Sequence, residues 1–248
     1  MMTLSAKLNN EIYYSIKIND EFGRNNKFSC IGCNGELIYH RNISGIHIQH
    51  WAHKTPCPFE TEPESEEHIK LKQWCYERFE APTKHLPDSF FIGDQKPDLF
   101  LEYPTFSGVK QVAIECQCSK ISLEKIKERT QKYTEKGIFV LWVLAGKYCE
   151  GEKDWKIIER NSKSFSVVEK WLQSIYFGRI YYASYDGWEY NCIQPTKLLW
   201  NGYKKSRYVD LSPTTYSTKI QLNCVETTDQ EGNNYFIARL WDKAWWSK

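Results

Sequence analysis

The chain has 248 residues, 41% of them hydrophobic and 15% aromatic, and its 33 basic and 31 acidic residues leave a net charge of +2. That composition excludes a disordered or fibrous chain and gives enough core for one large or two modest domains. A charge so near balance neither demands nor excludes nucleic acid, so any basic surface has to be local. The longest apolar run, I-F-V-L-W-V-L-A at 138–145, is too short to span a bilayer, and the opening M-M-T-L-S-A-K-L-N-N lacks the apolar core of a signal peptide. A cytoplasmic protein without a membrane partner is expected. Nine cysteines, odd in number and unevenly spaced, suggest thiols and a metal site rather than disulfides.

In chain order, strands broken by turn signals are expected over 11–40, with E-I-Y-Y-S-I-K-I first and E-L-I-Y-H later. Cys30-Ile-Gly-Cys33 has the two-residue gap of a zinc knuckle, and Gly35 after Asn34 suits the tight turn beyond it. His50, His53 and Cys57 follow about twenty residues later, so Cys30, Cys33, His53 and Cys57 make a four-ligand set, with His50 the rival for the third place. So short a segment buries little core, and zinc in finger-like peptides contributes about 10–16 kcal/mol of apparent binding energy. A closed set of this kind implies a structural Zn²⁺; the alternative is a pair of free thiols beside a turn.

A connector marked by Pro56, Pro58 and Pro63 leads to a helix over 64–80. Leu71, Cys75 and Phe79 form its apolar stripe, yet Glu64, His68 and Lys72, spaced by four, project along the same side. Either these polar groups reach water at the edge of the stripe, or they face a polar cleft over a sheet. Strands are expected near 89–92 and 97–103, joined by the turn G-D-Q-K, with Asp98 inside the second although strands are poor in aspartate.

The run V-A-I-E-C-Q-C-S at 112–119 reads as a half-buried strand, with Val112, Ile114, Cys116 and Cys118 on one face and Glu115 and Gln117 on the other. A helix over 122–136, ended by Gly137, and the apolar strand 138–144 complete a helix–strand–strand–strand–helix–strand order. Seven of the ten tryptophans fall after 148, and a helix is expected there at 166–176. In that region K-L-L-W-N-G-Y-K-K-S-R-Y interleaves basic and aromatic residues, so that Lys204, Lys205 and Arg207 are candidates for gripping phosphates; a solvated face with Trp200 in the core is the competing reading.

Glu64, Asp98 and Glu115 thus come from one helix and two strands that are expected to converge. Oxygen donors of this kind suit Mg²⁺ or Mn²⁺, which neutralise charge in phosphodiester chemistry. Pro97-Asp98 followed by Glu115-Cys-Gln117, within that element order, resembles the PD-(D/E)XK nuclease superfamily in a variant with glutamine at the lysine position. With C30-I-G-C33, H50-W-A-H53, E64-S-E-E-H68-I-K-L-K72 and E-R129-T-Q-K-Y133 added, the chain resembles the CoiA family of competence proteins over about 28–145.

The resemblance implies an α/β fold with a restriction-endonuclease-like αβββαβ core. It implies that Asp98 and Glu115 ligate the catalytic metal, that Glu64 contributes from the helix, and that Gln117 replaces the catalytic lysine. His68 and Lys72 would be cleft residues, with Arg129 and Tyr133 facing the same site and touching nucleic acid. Replacing lysine by glutamine exchanges a charge for an amide dipole, and losing one such donor costs about 3–4 kcal/mol of transition-state stabilisation. Lys72, from the helix, is the candidate to supply the missing charge.

The expected organisation is strands with a zinc module at 1–60, the nuclease-like core at 61–148, and an aromatic-rich α+β domain at 149–248. The expected function is Mg²⁺- or Mn²⁺-dependent cleavage of DNA, single- or double-stranded, in DNA uptake and recombination or in defence against foreign DNA. Two alternatives stand beside it: a catalytically silent DNA-binding or scaffold subunit, and a nuclease active only with a protein partner. A homo-oligomer is also open.

Overall fold

The structure is a computed structural model that describes residues 2–41, 48–58, 64–79, 81–105, 108–145, 166–176, 179–185, 190–201, 204–209, 224–228 and 234–238. The aromatic closing run W-D-K-A-W-W-S-K lies outside them. The chain is a mixed α/β protein that divides into two compact units, Met1–Val109 and Lys110–Lys248.

In the first unit, β1 (Met2–Thr3), β2 (Ser5–Leu8), β3 (Glu11–Tyr14), β4 (Phe28–Ser29), β5 (Glu36–His40) and β6 (His50–His53) form an antiparallel sheet in the order β1-β6-β5-β4-β2-β3. Helix α1 (Asp20–Asn25) starts where the Asn19 side chain accepts a hydrogen bond from the Phe22 N–H. It crosses β5 so closely that a Cβ on Gly23 would lie 2.7 Å from the Tyr39 ring. Ala6, Phe28, Leu37 and Trp51 close a small core there, with the Phe28 and Trp51 rings 4.9 Å apart.

Helix α2 (Glu66–Arg78) follows, then β7 (Thr83–Lys84) and β8 (Leu99–Thr105), which pair antiparallel. The Ser65 side chain caps α2 by accepting from the His68 N–H. The helix buries Ile69, Leu71 and Cys75, and with them Lys72. Two details differ from the sequence expectation. The stretch 89–92 is not a strand: only Ile92 pairs, with Gln95 across the expected turn, and the short β7 takes the first place in the three-strand order. Asp98 sits one residue before β8 rather than within it, in a bend that removes the conflict between aspartate and strand.

The second unit is built on β9 (Gly108–Gln117), α3 (Leu123–Glu135), β10 (Phe139–Ala145), α4 (Val167–Ile175) and β11 (Arg179–Tyr185). Strand β10 pairs in parallel with β9 on one side and β11 on the other, α3 packs on β10, and α4 packs on β11. Parallel strands crossed by helices are covered on both faces. That explains the continuous apolar run of β10 and corrects the half-buried reading of β9, where Val112 to Gln117 are all buried, Glu115 at 1% exposure included. Cys118 lies beyond the strand and is partly exposed.

Strands β12 (Tyr190–Asn201) and β13 (Lys204–Val209) extend the sheet from β11 with antiparallel pairing, and β14 (Cys224–Thr228) pairs with β15 (Asn234–Ala238). Lys204, Lys205 and Arg207 lie on β13, in register with Asn201, Trp200 and Leu198.

Candidate metal centres

The first unit gathers two groups of metal-ligating side chains. In one, a single ligand atom from each of Cys30, Cys33, His53 and Cys57 lies within 4.8 Å of every other. Four donors about 2.0–2.3 Å from a tetrahedral zinc stand about 3.3–3.8 Å apart, so the group needs only a small contraction to close on the ion.

The local backbone makes this arrangement. The Cys30 N–H donates to the Gly35 carbonyl (2.8 Å) and the Asn34 N–H to the Cys30 carbonyl (3.0 Å), folding the knuckle back on itself. The Gly35 N–H points at Cys33 Sγ (3.3 Å). Asn34, with φ 56°, takes a left-handed conformation in this turn. Gly35 matters for another reason: a Cβ there would sit 3.1 Å from Cys33 Sγ and 3.7 Å from His53 Nδ1.

His53 rather than His50 joins the cysteines. The His50 ring stacks on His40 at 5.0 Å, and its Nδ1 donates to the Ile48 carbonyl at 2.8 Å. Burial pushes the Cys30 thiol above its ordinary value; hydrogen bonds from the Cys33 and Gly32 backbone oppose this, and the Cys33 side chain adds to it. Thiols are metal ligands in their thiolate form, which an adjacent cation favours. The donor set therefore fits Zn²⁺.

The second group is Glu64, His68 and Asp98, whose ligand atoms also lie within 4.8 Å of one another. The cap at Ser65 starts α2 so that Glu64 stands just ahead of it, with His68 and Lys72 on successive turns. His68 Nε2 is 3.2 Å from Asp98 Oδ2. Burial works against the imidazolium, but the Asp98 charge and hydrogen bond outweigh it and raise the His68 pKa. Burial raises the Glu64 carboxyl, with Lys72 opposing it. Two carboxylates and an imidazole form an open set that fits a divalent ion of the Mn²⁺ type, the nitrogen shifting preference away from Mg²⁺.

Lys72 lies inside the carboxylate cluster. Its side chain is wholly buried, and its ammonium is 2.8 Å from Glu64, 2.9 Å from Asp88 and 3.8 Å from Asp98. Burial opposes the charge, but the three carboxylates hold its pKa well above the ordinary lysine value. Asp88 escaped the sequence reading. The signal was present, because Pro-Asp occurs twice, at 87–88 and 97–98. Only the second resembled a motif, while the first reads as an ordinary turn in which aspartate tolerates its φ of 60°.

In the second unit, β9 presents Glu115 and α3 presents Arg129 and Tyr133 one turn apart. Arg129 donates to Glu115 Oε2 at 2.6 Å and Tyr133 to Oε1 at 2.5 Å. Burial, then the Glu115 charge, raises the Tyr133 phenol well above its usual pKa, so it stays a donor. The Arg129 guanidinium also lies over the Trp142 ring at 5.7 Å, and the Trp142 indole donates to Thr130 at 2.9 Å. The Gln117 amide nitrogen is directed to Ser119, at 2.8 Å from its carbonyl and 3.2 Å from its hydroxyl.

The model of the family described as competence protein CoiA, nuclease-like domain, matches residues 64–206. Competence protein CoiA of Bacillus subtilis (strain 168) is 27% identical over 124 residues, which cover 48% of this chain and 31% of that protein. No solved structure gives a significant match.

Proposed function

From the chain's membership of the competence protein CoiA nuclease-like domain family, we propose that it is a divalent-metal-dependent nuclease that hydrolyses phosphodiester bonds of DNA. The role is in DNA uptake and recombination or in defence against foreign DNA. The observation that carries this reading is the convergence of Glu64, His68 and Asp98 to within 4.8 Å, on a buried lysine, in a chain of that family. Glu64 and Asp98 are the carboxylate ligands, and His68 either completes the set or orients Asp98. The motif order from Pro97-Asp98 to Glu115-Cys-Gln117 supports an αβββαβ nuclease core on these elements. When bound, Mn²⁺ or Mg²⁺ supplies a water of lowered pKa and neutralises charge on the phosphate. Zn²⁺ on Cys30, Cys33, His53 and Cys57 is structural, and Lys204, Lys205 and Arg207 grip the DNA backbone. Cleavage of single- and double-stranded DNA, assayed with Mn²⁺ and Mg²⁺, tests the proposal. Asp98→Asn is expected to lose about two orders of magnitude or more, and a wild type that cuts no nucleic acid under any of these conditions refutes the activity.

One observation favours a second reading. Both Glu115 oxygens are engaged by Arg129 and Tyr133, and the Gln117 amide is engaged by Ser119. A site so satisfied suits a silent subunit that binds DNA, alone or within an assembly. Retained DNA affinity with no turnover, unchanged in Glu115→Gln, supports that alternative.

A further inference from the structure

The carboxylate cluster of the first unit poses a problem of charge. The Lys72 ammonium is wholly buried and draws on Glu64 at 2.8 Å and on Asp98 at 3.8 Å, two of the three side chains that a divalent ion would use. An ion that takes those carboxylates removes the lysine's partners, and a buried cation left without a partner is strongly unfavourable. Metal and lysine therefore compete for the same carboxylates.

Asp88 offers a way out of that competition. Both of its oxygens are 2.9 Å from Lys72 Nζ, its side chain is fully buried, and it stands outside the group of potential ligands. Its own position does not depend on the metal. The Leu4 N–H donates to it at 3.1 Å, the Thr3 hydroxyl at 3.2 Å, and the Lys96 ammonium lies 3.4 Å away. Thr3 belongs to β1, which pairs with β6, the strand that carries His53.

We propose that Asp88 is a positioning residue for the metal site, holding the Lys72 charge while Glu64 and Asp98 turn to the ion. This rests on the metal assignment made above but not on DNA cleavage. Without the Asp88 charge, Lys72 clings to Glu64 and Asp98 and the ion is excluded. The pair Lys72–Asp88 is thus an internal counter-charge that keeps the cluster available, and the N-terminal strand fixes where it sits.

Mn²⁺ binding to the full, zinc-loaded chain, followed by titration calorimetry and by the paramagnetic signal of free Mn²⁺, tests this. Asp88→Asn keeps the shape and the tolerance of positive φ but removes the charge, and is expected to weaken Mn²⁺ binding about tenfold or more; adding Lys72→Met is expected to restore it to within about threefold of wild type. That restoration is a result that a purely structural role of Asp88 does not give. Wild-type affinity in folded Asp88→Asn overturns the proposal, as does weakened binding that Lys72→Met leaves unrestored. Should Asp88→Asn alone fail to fold, the neutral pair decides: affinity near wild type supports the proposal, and lost affinity overturns it. A wild type that binds no Mn²⁺ removes the metal assignment together with this inference, whereas one that binds Mn²⁺ but cuts no DNA removes only the activity.

Discussion

Asp88 and Lys72 are joined in a fully buried ion pair, and pH reads its contribution. Burial pushes the Asp88 carboxyl up, but Lys72 and then Lys96 outweigh it and hold the pKa below the ordinary 3.8. A depressed carboxyl stabilises the fold above its unfolded pKa and loses that contribution as pH falls toward the folded value. The difference in unfolding free energy between wild type and Asp88→Asn is therefore expected to be full near neutrality and to shrink below about pH 4, measured by denaturant titrations across pH 3–7. A difference that grows on acidification would contradict the pairing. At Tyr133, the hydroxyl donates to the buried Glu115, and hydrogen bonds to charged groups contribute about 1.5–3 kcal/mol. Tyr133→Phe is expected to lose about that much in denaturant stability, with the slope of the transition unchanged.

The elements carry their own instructions, and these were the most readable part of the chain. Helices expected over 64–80, 122–136 and 166–176 are found at Glu66–Arg78, Leu123–Glu135 and Val167–Ile175, each opened by a serine whose side chain accepts from the third following N–H. Ser65→Ala is expected to cost about 1 kcal/mol, read as a lower denaturant midpoint. The knuckle is equally local. Elemental analysis is expected to find about one zinc per chain, lost in Cys30→Ser with Cys33→Ser; Gly35→Ala, which crowds Cys33 Sγ at 3.1 Å, is expected to weaken zinc retention against a chelator. Full zinc in the double variant would reject the ligand set. Strand edges were harder. At 89–92 the apolar residues Phe90 and Phe91 mimic a strand, but Phe90 instead stacks on Phe100 with ring centres 4.2 Å apart.

For the whole molecule, a ligand that binds only the folded state stabilises it by mass action, by about 2.7 kcal/mol at a hundredfold excess over Kd. Mn²⁺ is expected to raise the melting temperature of wild type and to leave a Glu64→Gln, Asp98→Asn variant unmoved. No helix among the described residues is long and apolar enough to cross a membrane.

Read by itself, the sequence determined the elements whose cause is local: the helices with their caps, the apolar parallel strand, the spacing that groups three cysteines with a histidine, and the motif order of the family. Proximity across the fold belonged to tertiary structure. It chose His53 over His50, drew His68 into the carboxylate group, spent the charge of Lys72 on its neighbours, and gave Asp88 a role that a turn residue does not advertise. The physical reason is that caps and periodicity act over a few residues, whereas the partner of a buried charge is set by which distant segments share its dielectric surroundings.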